Sequence, residues 1–535
     1  MSYHSDIEGS PSRTRRKSIL DYGGANSINN FASSYTRAQK HLGSDLFANA
    51  IEDDVSPNTS PLIGAVADGI DEQFESLNGR RSDSGSYRSI NEFHFPIDDQ
   101  IKGQSSLRTS PFGSASNATE QSSLLSSSSD HRKLATVYGS STSAQTIFNA
   151  INSIMGMAML SLPFGLRLSG WILGSCIYLA SAVITSHTAS ILGKIIKRNP
   201  HLRSYSDISY LYGGKWFLIL ITIIFSLDLS GASLSLILLF SDSFNILVPG
   251  IAKSEWKMMI VTSAFFLSFL PLSFLSIISL SGIICTLSVI VVFAMCGVFI
   301  DVKPGSLLNP EPTSFYPVNF MSLLLTLGIF MAPWGGHPMF PELYKDMKKP
   351  AKFDKCVRVT FSTTFILCYL LGVIGYLMYG LGSQDSIIKN VLSNDKYPNL
   401  IKNLFCLFMG ILPVSKLPLT TRPLITVYES VLNVQPTTKK PGVQPHNIKK
   451  VILRFVFCCV LLAVSLLFSS FGKLVSFLGS AICFTICITL PLMFYLKFFN
   501  DELSWSHKLL LKVGIVLSMT GAIAGTYASI SMDIL

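Results

Sequence analysis

Residues 331–340 read "MAPWGGHPMF" and lie inside an apolar segment long enough to cross a membrane. A helix interior disfavours Pro333, Gly335, Gly336 and Pro338, which remove donors or cost backbone entropy. Lipid supplies no hydrogen bonds, so non-helical backbone at membrane depth persists only where it is buried in protein or lines a polar cavity. The stretch therefore predicts a broken membrane helix. Its free N–H groups suit a carboxylate and its free carbonyls suit an ammonium or a cation. A Gly/Pro packing kink is the simpler alternative for one break taken alone.

A second interruption separates these readings. Residues 149–165, "NAINSIMGMAMLSLPFG", hold Asn149, Asn152 and Ser153, then small Gly156 and Ala158, then Pro163. Counting apolar runs of about 20 residues gives eleven expected spans. They are 143–166, 169–193, 215–247, 257–275, 278–300, 318–341, 356–380, 397–429, 451–470, 473–497 and 507–531. The breaks fall in spans one and six, five apart. That spacing predicts a five-plus-five inverted repeat with a site where the two broken helices meet, the eleventh span being an addition.

The rest of the chain agrees with a membrane protein. Of 535 residues, 49% are hydrophobic and 14% charged, against about 25% charged in soluble domains. Residues 1–140 differ sharply. They carry 13 Lys/Arg and 17 Asp/Glu, so the excess charge of the +10 chain belongs to the loops between apolar runs. Scattered in that way, it excludes a nucleic-acid surface. Stretches such as "QSSLLSSSSD" (121–130) predict a disordered tail over residues 1–140, ahead of a transporter domain over 141–535. "MSYHSDIEGS" lacks the apolar run of a signal peptide. With the tail in the cytosol, cytosolic loops hold 17 Lys/Arg and the opposite side 8. The bias predicts a cytosolic N-terminus and a lumenal C-terminus, leaving the sequons at Asn58 and Asn117 unused.

Within the tail, "EQSSLL" has the acidic-dileucine form that sorting adaptors read, through Glu120, Leu124 and Leu125. Ser18 in "RRKS" and Ser82 in "RRS" follow basic residues as kinase sites do. No Walker A, HExxH or GxSxG pattern occurs, which argues against a pump or an enzyme, and no cofactor is expected. The ten Cys lie mostly in apolar runs without metal-ligand spacing, so no metal site is expected and most read as buried hydrophobes.

The stretches "NAINSIMGMAMLSLPFG", "LPLSFLSIISLSG" (270–282) and "GGHPMFPELYKDMKKPAKF" (335–353) resemble the amino acid/auxin permease family. Within it the chain is most similar to fungal vacuolar amino acid transporters and to the vesicular inhibitory amino acid transporter. The resemblance covers about residues 140–531. It implies an all-α LeuT-type fold of eleven helices and proton-coupled movement of amino acids across the vacuolar membrane. Where relatives often carry a second glycine in span one, this chain has Ala158.

On this reading the substrate contacts are Asn152, Ser153, Gly156, Met157 and Ala158 of span one with Trp334, Gly335 and Gly336 of span six. Three groups compete for the proton. Asp228 sits in mid-span three, where a proton or a distant partner must neutralise it; a structural hydrogen bond is the alternative. The vesicular relatives also have an acid here. His337 is a candidate because histidine is the side chain that ordinarily changes charge near neutral pH, or it holds the break open through freed carbonyls. Lys416, in "VSKLPLTTRPL" (414–424), either snorkels or takes the place of a cation between spans one and eight. Antiport into the vacuole is the leading expectation. Symport, export from the vacuole, plasma-membrane action and an amino-acid-sensing receptor are the alternatives.

Overall fold

The computed structural model describes residues 31–37, 139–270, 272–301, 303–432, 448–468 and 470–532. Glu120, Leu124, Leu125, Ser18 and Ser82, with most of the tail, lie outside the described residues. Every regular element among those described is helical. In chain order they are α1 (residues 31–37), α2 (Ser143–Ile154), α3 (Leu162–Arg198), α4 (Tyr205–Leu247), α5 (Lys253–Leu267), α6 (Leu272–Phe299), α7 (Phe320–Met331) and α8 (Phe340–Asp346). Then follow α9 (Phe353–Tyr379), α10 (Ile387–Leu392), α11 (Asn399–Val431), α12 (Ile448–Leu467), α13 (Phe471–Phe477), α14 (Leu490–Phe498) and α15 (Trp505–Ser531).

Among the described residues, nine helical stretches are long and apolar enough to cross a membrane. Eleven were expected, and two local features account for the difference. Gly170 takes φ 70° inside α3, so one continuous helical trace contains the end of expected span one and all of expected span two. Helix α5 has 15 residues, which rise about 22 Å, short of the roughly 30 Å hydrocarbon core. At Gly170 a Cβ would come within 2.6 Å of the Phe315 carbonyl, so both the turn and the close approach require glycine. Gly214, with φ 68°, similarly divides α4.

The outside of the molecule is apolar, with Leu179, Val183, Ile284, Val291, Val460 and Ile523 all exposed, as a lipid-facing surface demands. Burial grades inward. In the most apolar 18 residues of each stretch, 72% are buried for Phe471–Phe498 and 61% for Phe320–Asp346, against 11% for Trp505–Ser531. The segment with the opening stretch is therefore central and the last helix peripheral. Helix α9 lies along α3, α11 packs against α4 and α6, and α7 packs against α3 and α15.

Both expected interruptions are present. Thr142 caps α2, its hydroxyl accepting from Gln145 N while the Gln145 side chain returns to Thr142 N. The helix ends at Ile154, extended backbone follows at Gly156, and a 3₁₀ segment Met157–Ser161 leads into α3. Helix α7 ends at Met331. Two short 3₁₀ turns, Ala332–Trp334 and His337–Met339, carry the chain into α8. A third irregularity lies in the central helix after α13. There the chain widens into π-helical turns, Leu478–Cys483 and Thr485–Thr489, before α14.

Candidate substrate site

The two interrupted helices meet at a cavity of about 240 Å³. From the first break it is lined by Asn152, Ser153, Ile154, Gly156, Met157 and Ala158; from the second, by Ala332, Gly335, Gly336, Pro338 and Met339. Helix α4 contributes Phe225, Asp228, Leu229, Ala232, Ser235 and Leu236. Helix α11 contributes Lys416, Leu419 and Thr420, and the π-helical region contributes Leu478 and Cys483. Helix α4 reaches the cavity because Gly231 lets it press against Leu478, whose Cδ2 lies 2.1 Å from where a Cβ would stand. Ser233 and Thr420 bond across α4 and α11 at 2.9 Å.

The polar groups of this cavity fall into two kinds. Some are already engaged. The Lys416 ammonium donates to the Met155 carbonyl at 2.7 Å, which is one of the carbonyls left free where α2 ends. Asn152 Nδ2 donates to Ser279 Oγ at 3.1 Å. Others are free. Asn152 Oδ1 is buried without a hydrogen-bond partner. Asp228 has no hydrogen-bond or ion-pair partner among the described residues. A buried acceptor left unpaired costs free energy, so these atoms mark where a donor would bind.

Trp334 and His337 stand elsewhere. Trp334 is fully buried and its indole N–H donates to Ser181 Oγ at 2.9 Å, on α3. Its ring stacks on Phe361 at 5.5 Å between centroids. His337 is equally buried. Its Nε2 lies 3.1 Å from the Thr185 carbonyl and 3.0 Å from the Thr188 hydroxyl, and its Nδ1 lies 3.3 Å from the Trp334 carbonyl. Neither side chain lines the cavity. Cys487 donates to the Trp334 carbonyl at 3.4 Å, so that freed carbonyl is also satisfied within the protein. Sequence reasoning did not single out Asn152 Oδ1 as the free end of its amide, nor the apolar wall of Phe225, Leu229 and Leu236. The apolar wall follows from the helical spacing of that α4 face around Asp228.

Outside the cavity lining, an ionic cluster ties α10 to α4 and to the start of α13. Lys389 of α10 bonds Asp242 at 2.7 Å and Asp385 at 2.9 Å, and Lys253 bonds Asp242 at 2.9 Å. Asp385 also accepts from Ser470 Oγ and Gly472 N at the start of α13, and its carbonyl accepts from Ser161 Oγ. Burial works against the Lys389 charge, but Asp385 and Asp242 outweigh it and hold the ammonium above the ordinary lysine range.

A family model described as "Transmembrane amino acid transporter protein" matches residues 139–531. The chain belongs to that family. The permease resemblance drawn from the three stretches at 149–165, 270–282 and 335–353 is thereby borne out. The match begins where the described chain enters span one and ends at the last residue of α15. Among curated relatives, the amino acid transporter AVT1H of Arabidopsis thaliana is 29% identical over 67% of this chain and 82% of its own length. AVT1J of the same plant is 26% identical over 73% of this chain and 91% of its own. AVT1D is 24% identical over 72% of this chain and 69% of its own. Among solved structures, a manganese transporter of Eremococcus coleocola aligns over 71% of this chain and 85% of that one. Its TM-score is 0.44 and its identity 10%, too distant to assign the fold. The family fixes the coarse function: a multi-pass membrane protein that transports amino acids and is not an enzyme.

Proposed function

We propose that this transporter exchanges protons for neutral amino acids and loads them into the vacuole lumen by alternating access. The observation that carries the reading is Asp228, a carboxylate without a partner on the wall of a cavity bounded by both helix breaks. With Gly170 dividing α3 and α5 taken as a short span, the described helices group into eleven spans arranged as a five-plus-five repeat plus one. The tail over residues 1–140 and the loops rich in Lys and Arg then face the cytosol, and Leu535 faces the lumen.

In this scheme the substrate carboxylate sits on the backbone N–H groups of Gly156, Met157 and Ala158, while Gly335 and Gly336, whose N–H groups bond the Ala332 and Trp334 carbonyls, form the facing wall. Asn152 Oδ1 takes the substrate ammonium. Lys416 keeps the first break open in place of a sodium ion. Lumenal acid protonates Asp228 when the cavity faces the lumen, the neutral carboxyl crosses to the other face, and the proton leaves to the cytosol. The returning cavity carries the amino acid inward. His337 serves the break by holding it to α3. Glu120, Leu124 and Leu125 form the sorting signal that adaptors read, and Ser18 and Ser82 are the phosphorylated positions of the tail.

Vacuolar vesicles test this directly. Amino acid uptake driven by an acidic lumen should be abolished by an uncoupler. Asp228→Asn should remove proton-driven accumulation while leaving amino acid exchange, which needs no net proton movement. Normal pH-driven uptake by a well-expressed Asp228→Asn protein would overturn the coupling role.

A further inference from the structure

Residues 31–37, "FASSYTR", precede the family-matching region by about a hundred residues, yet they sit against the cavity. Tyr35 is 5% exposed and is one of the residues lining it. Around it the segment is bound at several points. Ser34, fully buried, bonds Ser141 Oγ at 2.5 Å and accepts from Asn149 Nδ2 at 2.8 Å. The Phe31 and Phe148 rings pack edge to face at 5.0 Å. Arg37 Nε pairs with Asp346 at 2.9 Å, and its Nη2 donates to Ser141 Oγ at 3.1 Å.

The surface that receives the segment is specific. Phe148 and Asn149 belong to the first half of broken span one, and Asp346 ends the second half of broken span six. The two are already joined where Ser141 N donates to the Asp346 carbonyl at 2.7 Å and Lys348 N to the Ser141 carbonyl at 2.9 Å. Gly139 makes that approach possible, since a Cβ there would stand 2.0 Å from the Asp346 carbonyl carbon. The helix thus closes over the mouth formed by the two half-helices that border the cavity.

We propose that residues 31–37 are a plug: a segment of the chain itself that docks in the mouth on the N-terminal side of the cavity and holds transport down until it leaves. Three features favour this occupant over a permanent strut. The ion pair at the segment's end is open to solvent, the Arg37 side chain being 41% exposed, which limits what that pair contributes. The segment lies outside the matched domain. Docking is intramolecular, and a tether raises the local concentration to the order of millimolar, so weak contacts suffice to keep the mouth occupied. Ser34 is the sensitive point, because its Oγ lies 3.5 Å from the Asp346 carboxylate and an added negative charge there is repelled and buried at once.

The inference rests on the transport reading only in its last step, and the test separates the two. Full-length protein is reconstituted and two quantities are measured: the initial uptake of radiolabelled leucine, and the rate at which a membrane-permeant maleimide alkylates Cys483. That thiol lines the cavity, and a Cys483→Ala control identifies its signal. Tyr35→Ala combined with Arg37→Glu, and separately Ser34→Asp, should raise both rates about threefold or more by shifting the segment to its undocked state. Ser34→Cys with Ser141→Cys should cross-link on oxidation, suppress both rates and recover with reductant, while the same oxidant leaves wild type unchanged. If leucine uptake is absent throughout, the transport reading suffers and Cys483 labelling alone decides the plug. Labelling that is unchanged by Tyr35→Ala and Arg37→Glu, or a cross-linked protein that labels as fast as the reduced one, overturns it.

Discussion

The two helix breaks look alike in sequence and are built differently. In span one the chain opens onto the cavity. A Cβ at Gly156 would meet nothing nearer than the Ile154 carbonyl at 3.9 Å, and the backbone there is extended at φ −108°. The Met155 carbonyl depends on one replaceable partner, the Lys416 ammonium. In span six the chain lines the cavity through Ala332, Gly335, Gly336, Pro338 and Met339, but its freed polar groups and its two large side chains turn into protein. The Trp334 carbonyl is taken up by Cys487 and His337, and the two large side chains are bonded to α3. Helix α7 also presses on the π-helical region so closely that a Cβ at Gly479 would stand 1.9 Å from the Gly328 carbonyl oxygen. One break is a scaffold and the other is a contact surface. A transporter needs both, since binding energy can move only the part that is not already satisfied.

The largest expected effect separates them by backbone alone. Gly479→Ala forces two main chains apart in the most buried part of the molecule and should cost more than about 3 kcal/mol. Little folded protein should survive detergent extraction and size-exclusion chromatography. Gly156→Ala meets open space and an allowed conformation, so the variant should elute and melt as wild type does. If Gly156→Ala unfolds the protein, or Gly479→Ala does not, the contrast between the breaks collapses.

Next comes the single partner of the first break. Lys416→Met leaves the Met155 carbonyl without a donor in a low-dielectric site. A hydrogen bond to a charged group contributes about 1.5–3 kcal/mol, or roughly ten- to a hundredfold in rate. Uptake should fall by up to that factor, Tm should fall with it because a buried acceptor is left unpaired, and Lys416→Arg should recover part of both. Unimpaired uptake by Lys416→Met would show that the ammonium only fills space.

The third effect falls on stability and not on uptake. His337→Ala removes the bonds to Thr185 and Thr188 and opens a void, at about 2–4 kcal/mol. His337→Gln restores one bond and should recover about half. Because the imidazole faces α3 and not the cavity, the pH dependence of uptake by His337→Gln should keep the wild-type shape. A shifted profile would return His337 to the coupling path.

How much of this was legible follows from the kind of signal each residue leaves. Both breaks were readable because Gly and Pro clustered inside an apolar run penalise a continuous helix heavily, and buried Asn needs partners that lipid does not supply. For Lys416 the sequence left snorkelling and a cation's place between spans one and eight both open, and the structure puts its ammonium on the Met155 carbonyl. The direction of Trp334 and His337 was not. Helical phase cannot be carried through two 3₁₀ turns, so neighbours of cavity-lining Gly335 and Gly336 turned out to face the opposite way. The count of spans was blurred for a similar reason: Gly170 turns the chain without interrupting its apolar run. The docking of residues 31–37 was hidden because "FASSYTR" is too short and too polar for any periodicity to register.

The smallest expected effect tests the residue on which sequence and structure part most clearly. If Trp334 touched substrate, its loss would raise KM. In the structure the indole donates to Ser181 and stacks on Phe361, with Tyr178 packed beside it at 5.5 Å. Trp334→Phe keeps most of the aromatic stacking and loses one neutral hydrogen bond, worth about 1 kcal/mol. For a domain of this size that corresponds to a drop of roughly 1–2 °C in Tm. Ser181 does not become an orphan, because its hydroxyl also bonds the Tyr178 carbonyl at 2.7 Å. Uptake kinetics of Trp334→Phe should therefore show an unchanged KM. A KM raised several-fold at unchanged Tm would place the indole in the substrate path and make the second break a contact surface like the first.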